Sequence, residues 1–201
     1  AGGIDAATTI GNISVTQSAA NTVNLGTLGA TGGSIGNVTI GGAGTSFTMA
    51  TGAVLNIGDV SASGYTGATN VTLSNTTVIG VNFTGGTGID TFTGTGGADV
   101  INTNAGDDVI VGGSGADVIN AGDGADQITG GVGIDTITTG AGIDIVHMNQ
   151  TLAANANNVA DFTGGALGDA LMFDISDLGL NAADYAAGTS TVVTLAGAKA
   201  L

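Results

Sequence analysis

The sequence predicts an all-β fold wound as a solenoid, and three observations predict it. Residues 85–147 are seven consecutive nonapeptides without insertion: GGTGIDTFT, GTGGADVIN, TNAGDDVIV, GGSGADVIN, AGDGADQIT, GGVGIDTIT and TGAGIDIVH. The chain before them alternates Val, Ile and Thr with small polar residues, punctuated by Gly or Asn, as short strands do. No stretch there carries the 3.6-residue apolar period of a helix. A nine-residue period marks a solenoid, in which each unit buries its apolar face only against its neighbours.

Taken in order, residues 1–84 are a Thr/Gly-rich β region with strand-like runs at 8–16, 21–28, 36–42, 45–58 and 69–85. Two folds fit it: an irregular solenoid stacked under the repeats, or a small antiparallel sandwich. The run VIGVNFTGG enters the first repeat without a linker, which favours the solenoid. Asn-x-Ser/Thr triplets at Asn12, Asn37, Asn70, Asn75 and Asn82 read as ordinary strand and turn composition rather than glycosylation sites. Residues 148–201 leave the register and are expected to cap the roll, with strand-like alternation over 156–180, a short helix over 181–188 and a last strand over 189–197.

Within residues 85–147 three columns never vary in kind. The fourth position is always Gly, the sixth always Asp (Asp90, Asp99, Asp108, Asp117, Asp126, Asp135, Asp144) and the eighth always apolar. The apolar half makes a strand of about three residues whose eighth-position side chain points inward. The Gly-rich half must curl tightly, which Gly permits through positive φ, and curling leaves carbonyl oxygens outside any sheet. Two repeats make one coil, so Asp90, Asp108, Asp126 and Asp144 stack on one edge and Asp99, Asp117 and Asp135 on the other, about 4.8 Å apart. Like charges at that spacing repel by about 1 kcal/mol in water and about 3 kcal/mol at an effective dielectric near 20. Several such contacts would strain a domain stable by only about 5–15 kcal/mol. A cation between turns removes the strain. Hard oxygens without nitrogen or sulfur suit Ca²⁺, and the gaps give about five internal sites.

Composition agrees. All 16 acidic residues are Asp, Lys199 is the one basic residue, and the net charge is -15. That balance argues against nucleic acid and anionic membrane as partners and favours cations. No run of about 18 apolar residues exists to span a membrane. The absence of Cys excludes disulfides and thiolate metal sites. The chain opens on Ala1 rather than Met, which suggests a processed product or a piece of a longer chain. No enzyme is expected: His147 is the single His, so no HExxH helix is possible, and Ser114 in GGSGA lies inside a repeat rather than at a nucleophile elbow.

These residues resemble the RTX repeat, Gly-Gly-x-Gly-x-Asp-x-apolar-x. The resemblance implies a parallel β-roll, Ca²⁺ held between turns by Asp carboxylates and turn carbonyls, and type I export. Carried over by position, the ligating carboxylates are the seven Asp of the sixth column, and the turns are those around Gly85, Gly94, Gly112 and Gly130. The departures are Thr103, Ala121 and Thr139 at the first position and Thr95 and Asn104 at the second. Thr103-Asn104 is expected to strain its turn. VADFTGGALGD (159–169) resembles the segment that closes such rolls, which gives Asp161 and Asp169 a place in a last site. Asp107 and Asp123 are extra carboxylates, outer ligands or solvated turn residues, the latter favoured. Asp174, Asp177 and Asp184 read as surface or turn residues. The composition as a whole resembles RTX-bearing bacterial surface-layer proteins of the Caulobacter type. That implies a structural module that self-associates in a lattice outside the cell. The other readings are the export and folding module of a secreted protease or lipase, and an adhesin stalk.

Overall fold

The structure, a computed structural model, describes residues 9–18, 21–28, 33–52, 56–73, 79–148, 157–163 and 168–173. The expected helix over 181–188, the last strand over 189–197, Asn75, Asp174, Asp177 and Asp184 lie outside them. The chain winds into a parallel β-solenoid with two facing sheets of eight strands each. The first sheet runs through Ile13–Gln17, Val38–Gly42, Val60–Tyr65, Asn82–Thr84, Val100–Asn102, Val118–Asp123, Thr136–Ala141 and Asn158–Val159. The second runs through Thr22–Leu28, Ser46–Thr51, Ala68–Leu73, Asp90–Thr93, Val109–Ser114, Gln127–Val132, Ile145–Met148 and Ala170–Phe173. Of the two folds open for residues 1–84, the solenoid is the one observed, since both sheets run through that region and on into the repeats without a break. Among the described residues no helix is long and apolar enough to cross a membrane.

The length of a coil changes along the axis. Asn12 and Asn37 are 25 residues apart one coil on, Asn37 and Asp59 are 22, and Asp59 and Asn82 are 23. Inside the repeats the step is 18. The extra residues of the early coils form a third, three-stranded parallel sheet, Thr9–Ile10, Ser34–Ile35 and Asn56–Ile57. That sheet ends where the nonapeptides begin, because a coil of 18 residues has none to spare for a third face.

Alternation decides what is inside. The eighth-position residues, joined by Phe83 just before the repeats, pair in register as two inward columns, Phe83–Ile101–Ile119–Ile137 on the first sheet and Phe92–Ile110–Ile128–Val146 on the second. All are buried. Phe83 and Phe92 stack across the interior at 4.2 Å between ring centroids, where the wide coils narrow to 18 residues.

In the early coils the edge beside Asn12 is held by side chains. Asn37 N–H donates to Asn12 Oδ1 (3.0 Å), Asp59 N–H to Asn37 Oδ1 (3.2 Å), and Asn82 Nδ2 to Asp59 Oδ1 (3.0 Å). Asn12, Asn37 and Asn82 are thus rungs of a ladder. On the opposite edge Tyr65 and Gln17 fill the turn: the Tyr65 hydroxyl donates to Gln17 Oε1 (2.9 Å), and both side chains are buried.

Ile119 is 1% exposed and its neighbour Val118 48%. Ile119→Ala is expected to destabilise by about 2–5 kcal/mol and Val118→Ala by no more than about 0.5 kcal/mol, measured by denaturant unfolding at saturating calcium.

Candidate metal centre

The turns set the site. From the third repeat on, the second and fourth positions take positive φ, as at Gly113 (φ 115) and Gly115 (φ 124). A Cβ on Gly113 would strike the Thr95 carbonyl one coil back. Asn104 (φ 70) is the one non-Gly residue with positive φ among those described, and Asn tolerates that region. Its Nδ2 donates to the Gly85 carbonyl (2.8 Å), and the Thr103 hydroxyl donates to the Ala121 carbonyl (2.7 Å). The strain expected at Thr103-Asn104 is therefore offset by two side-chain bonds between coils. Thr95 avoids the problem, because the second repeat turns without positive φ there.

The curled turns carry the Asp column inside, and all seven carboxylates are at most 1% exposed. One oxygen of each is committed to the stack. The N–H groups of Asp90, Asp99, Asp108, Asp117 and Asp126 each donate to Oδ1 of the Asp 18 residues on, at 2.7–3.0 Å. The two series close on Asn157 and Asp169, which accept from Asp135 N–H (3.0 Å) and Asp144 N–H (3.1 Å).

The second oxygen divides the column. Asp90 Oδ2 accepts from Gly86 N–H (2.8 Å) and Asp99 Oδ2 from Thr95 N–H (2.7 Å). Asp169 Oδ2 accepts from Thr163 N–H (2.9 Å). Asp161 accepts from Thr139 N–H (2.8 Å) with one oxygen and Gly140 N–H (2.9 Å) with the other. Between these ends, Oδ2 of Asp108, Asp117, Asp126, Asp135 and Asp144 is buried without a partner. A buried polar atom left unpaired costs about 1–3 kcal/mol, more when charged. Five such atoms, three on one edge and two on the other, are the strongest sign that these oxygens can serve a cation.

The rest of the donor set fits a hard cation. A Cβ on Gly94 would meet both Asp99 Oδ2 and the Gly112 carbonyl oxygen, and one on Gly112 would meet Asp117 Oδ2 and the Gly130 carbonyl oxygen. Gly85 lies likewise against Asp90 Oδ2 and the Thr103 carbonyl oxygen, and Gly130 against Asp135 Oδ2. The predicted first-position glycines thus border the space where carboxylate and carbonyl oxygens converge. Among the described residues no three Asp, Glu, His or Cys side chains gather at one point. An ion here would need backbone carbonyls to complete its shell, as Ca²⁺ accepts.

Burial raises the carboxyls of the column, and the Asp neighbours one coil away add to it for the interior members: Asp108 and Asp117 move from 3.8 to about 7 and Asp126 to about 6. Asp90 and Asp99 are also raised by burial, against the pull of their hydrogen bonds. At Asp169 burial acts upward, but bonds from Thr163, Asp144 and Thr139 outweigh it and the carboxyl falls below its ordinary value.

Sequence reasoning did not find Asn157, nor the Thr69 N–H and hydroxyl that serve Asp90 Oδ1 (3.0 and 2.8 Å). Thr69 lies 21 residues before Asp90 and Asn157 lies 22 after Asp135, so neither keeps the 18-residue step that would have pointed to it.

The family model for the RTX calcium-binding nonapeptide repeat (4 copies) matches residues 84–119 and 111–146. RTX calcium-binding repeats therefore occupy the region that holds the Asp columns. No curated protein matches the chain, and no solved structure does.

An unfolded Asp loses its proton near 3.8, whereas Asp108 and Asp117 in the folded, ion-free chain keep theirs to about 7. Between those values the folded chain binds more protons, so its stability falls as pH rises. In calcium-free buffer more β-type circular dichroism is therefore expected to remain at pH 5 than at pH 8. The opposite order would contradict the burial of these carboxyls.

Proposed function

We propose that this chain is a calcium-gated structural module of a secreted bacterial surface-layer protein. Its Asp columns oppose folding until Ca²⁺ fills the gaps between turns. The observation that carries the reading is the register of five buried, unpartnered carboxylate oxygens, framed by ends that satisfy themselves. When bound, the ion supplies charge neutralisation and a shared ligand between successive coils. The chain's own part is to hold each Oδ1 on a backbone N–H so that Oδ2 faces the gap.

The gating follows from where the chain meets calcium. Extracellular modules bind at about 10⁻⁴–10⁻³ M, so cytosolic calcium leaves the sites empty and external calcium fills them. A modest excess over the dissociation constant at several sites adds a few kcal/mol in total, comparable to the stability of a domain. The chain can then cross a membrane unfolded and fold outside. A surface-layer role is supported by the composition: one basic residue, no Cys, and Thr, Asn and Val strands in front of the repeats. The first sheet also presents one uncharged paired column, Ser14, Thr39, Ser61, Thr84, Asn102, Asn120 and Thr138. A flat, neutral face of this kind suits side-by-side packing of copies.

Three experiments separate the parts of this reading. EGTA is expected to abolish the β-type circular dichroism of the repeats, and an unchanged spectrum would sink the calcium dependence. Calcium added back to concentrated protein is expected to give ordered arrays by negative-stain electron microscopy. Folding without arrays would leave the calcium module standing and favour the export module of a secreted hydrolase. Asp117→Asn touches two gaps on its edge, so bound calcium per chain should fall; an unchanged stoichiometry would show the edge assignment to be wrong.

A further inference from the structure

The two edges of the roll differ in charge. On the edge carrying Asp99, Asp117 and Asp135, each first position is Gly and each turn holds one carboxylate. On the edge carrying Asp90, Asp108, Asp126 and Asp144, the first positions after Gly85 are Thr103, Ala121 and Thr139. Each of those three turns has gained a carboxylate from outside the column. Asp107 and Asp123 belong to the turns themselves, and Asp161 binds the third through Thr139 and Gly140.

Asp107 and Asp123 bracket one gap, that between turns 103–108 and 121–126. Asp107 Oδ1 accepts from Ala125 N–H (2.9 Å), one coil on. Asp123 bridges to Ala105, its N–H donating to the Asn104 carbonyl (2.7 Å) and its carbonyl accepting from Gly106 N–H (2.9 Å). Both side chains are exposed, whereas the Asp108 and Asp126 carboxylates of the same gap are buried and each leaves Oδ2 without a partner. Four carboxylates therefore surround this gap, against two at the gap between turns 112–117 and 130–135; the next gap on the same edge, between turns 121–126 and 139–144, also has four with Asp161, but both Asp161 oxygens are already held by the Thr139 and Gly140 N–H groups. No basic residue lies in the repeats to offset them. Both exposed charges also raise the Asp126 carboxyl, which places it within reach of their fields.

We infer that Asp107 and Asp123 make the gap between Asp108 and Asp126 the first to take Ca²⁺, acting through their field rather than as ligands. The inference rests on the reading that calcium fills the gaps between turns. Both surface side chains are exposed and Asp107 Oδ1 is committed to Ala125 N–H, which sets them apart from the buried Oδ2 atoms of Asp108 and Asp126. Their effect is then long-range attraction on a dication, which salt screens: the Debye length shrinks from about 10 Å at 0.1 M to about 3 Å at 1 M. The inner ligands, buried and in contact with the ion, are screened far less.

The test is a calcium titration of the full chain against a competing chelator, with and without the double substitution Asp107→Asn, Asp123→Asn. Both positions are exposed, so the fold is expected to survive. At low salt the dissociation constant of the first ion should rise about three- to tenfold, those of the later ions should move less, and the number of ions should stay the same. At about 1 M salt the difference should largely vanish. Asp59→Asn, an exposed position outside the repeats, should change none of these. Equal affinities at low salt would overturn the inference and make both residues plain solvated turn residues. Loss of one ion at any salt concentration would also overturn it, making them direct ligands. The wild-type titration separates the two levels, since absence of any calcium binding would remove the underlying reading itself.

Discussion

Everything in this fold depends on how the sixth-position carboxylate divides its two oxygens. Oδ1 accepts the N–H of the residue one coil earlier and so ties coil to coil. Oδ2, in the third to seventh repeats, is buried with nothing to accept. A residue that used both oxygens would be a simple hydrogen-bonding rung, and a residue that used neither would leave the turns unjoined. The division makes the stack conditional: geometry is set by the chain, and charge must be balanced by something else.

The rest of the molecule can be read as a frame for that conditional stretch. The early coils have no buried acid among their described residues. Their edges are filled by an Asn–Asp ladder and by the Tyr65–Gln17 pair, neutral but for Asp59, and their coils are wide enough for a third sheet. At the junction, Asp90 and Asp99 satisfy both oxygens from Thr69, Gly86, Val81 and Thr95. At the far end Asp161 and Asp169 do the same, and the single Asn157 Oδ1 accepts from Asp135 N–H. The unpartnered oxygens are thus confined to the third to seventh repeats, between those two ends.

Much of this was legible in the sequence because the repeat is strict. The Gly, Asp and apolar columns give the solenoid, the 18-residue coil, the inward Ile column and the two Asp edges directly. What was not legible depends on broken periodicity or on single atoms. Coil lengths of 22 to 25 residues outside the repeats hid Asn157 and the Asn12–Asn37–Asp59 ladder. The columns show that Asp residues stack, but not that one oxygen is already taken by a neighbouring N–H. Counting like charges alone overstates the repulsion for Asp108 and Asp117, since burial keeps their protons on up to about pH 7 when no cation is present. Departures at Thr103 and Asn104 looked like damage to a turn; they are repaired by hydroxyl and amide bonds that no spacing rule predicts.

The central claim is that cations lie between the coils at the unpartnered oxygens, and the anomalous difference map of crystals of the full chain grown in calcium tests it most directly. The account predicts peaks on both edges of the roll, each beside Oδ2 of Asp108, Asp117, Asp126, Asp135 or Asp144. Well-ordered repeats with no anomalous density at those five oxygens would contradict it.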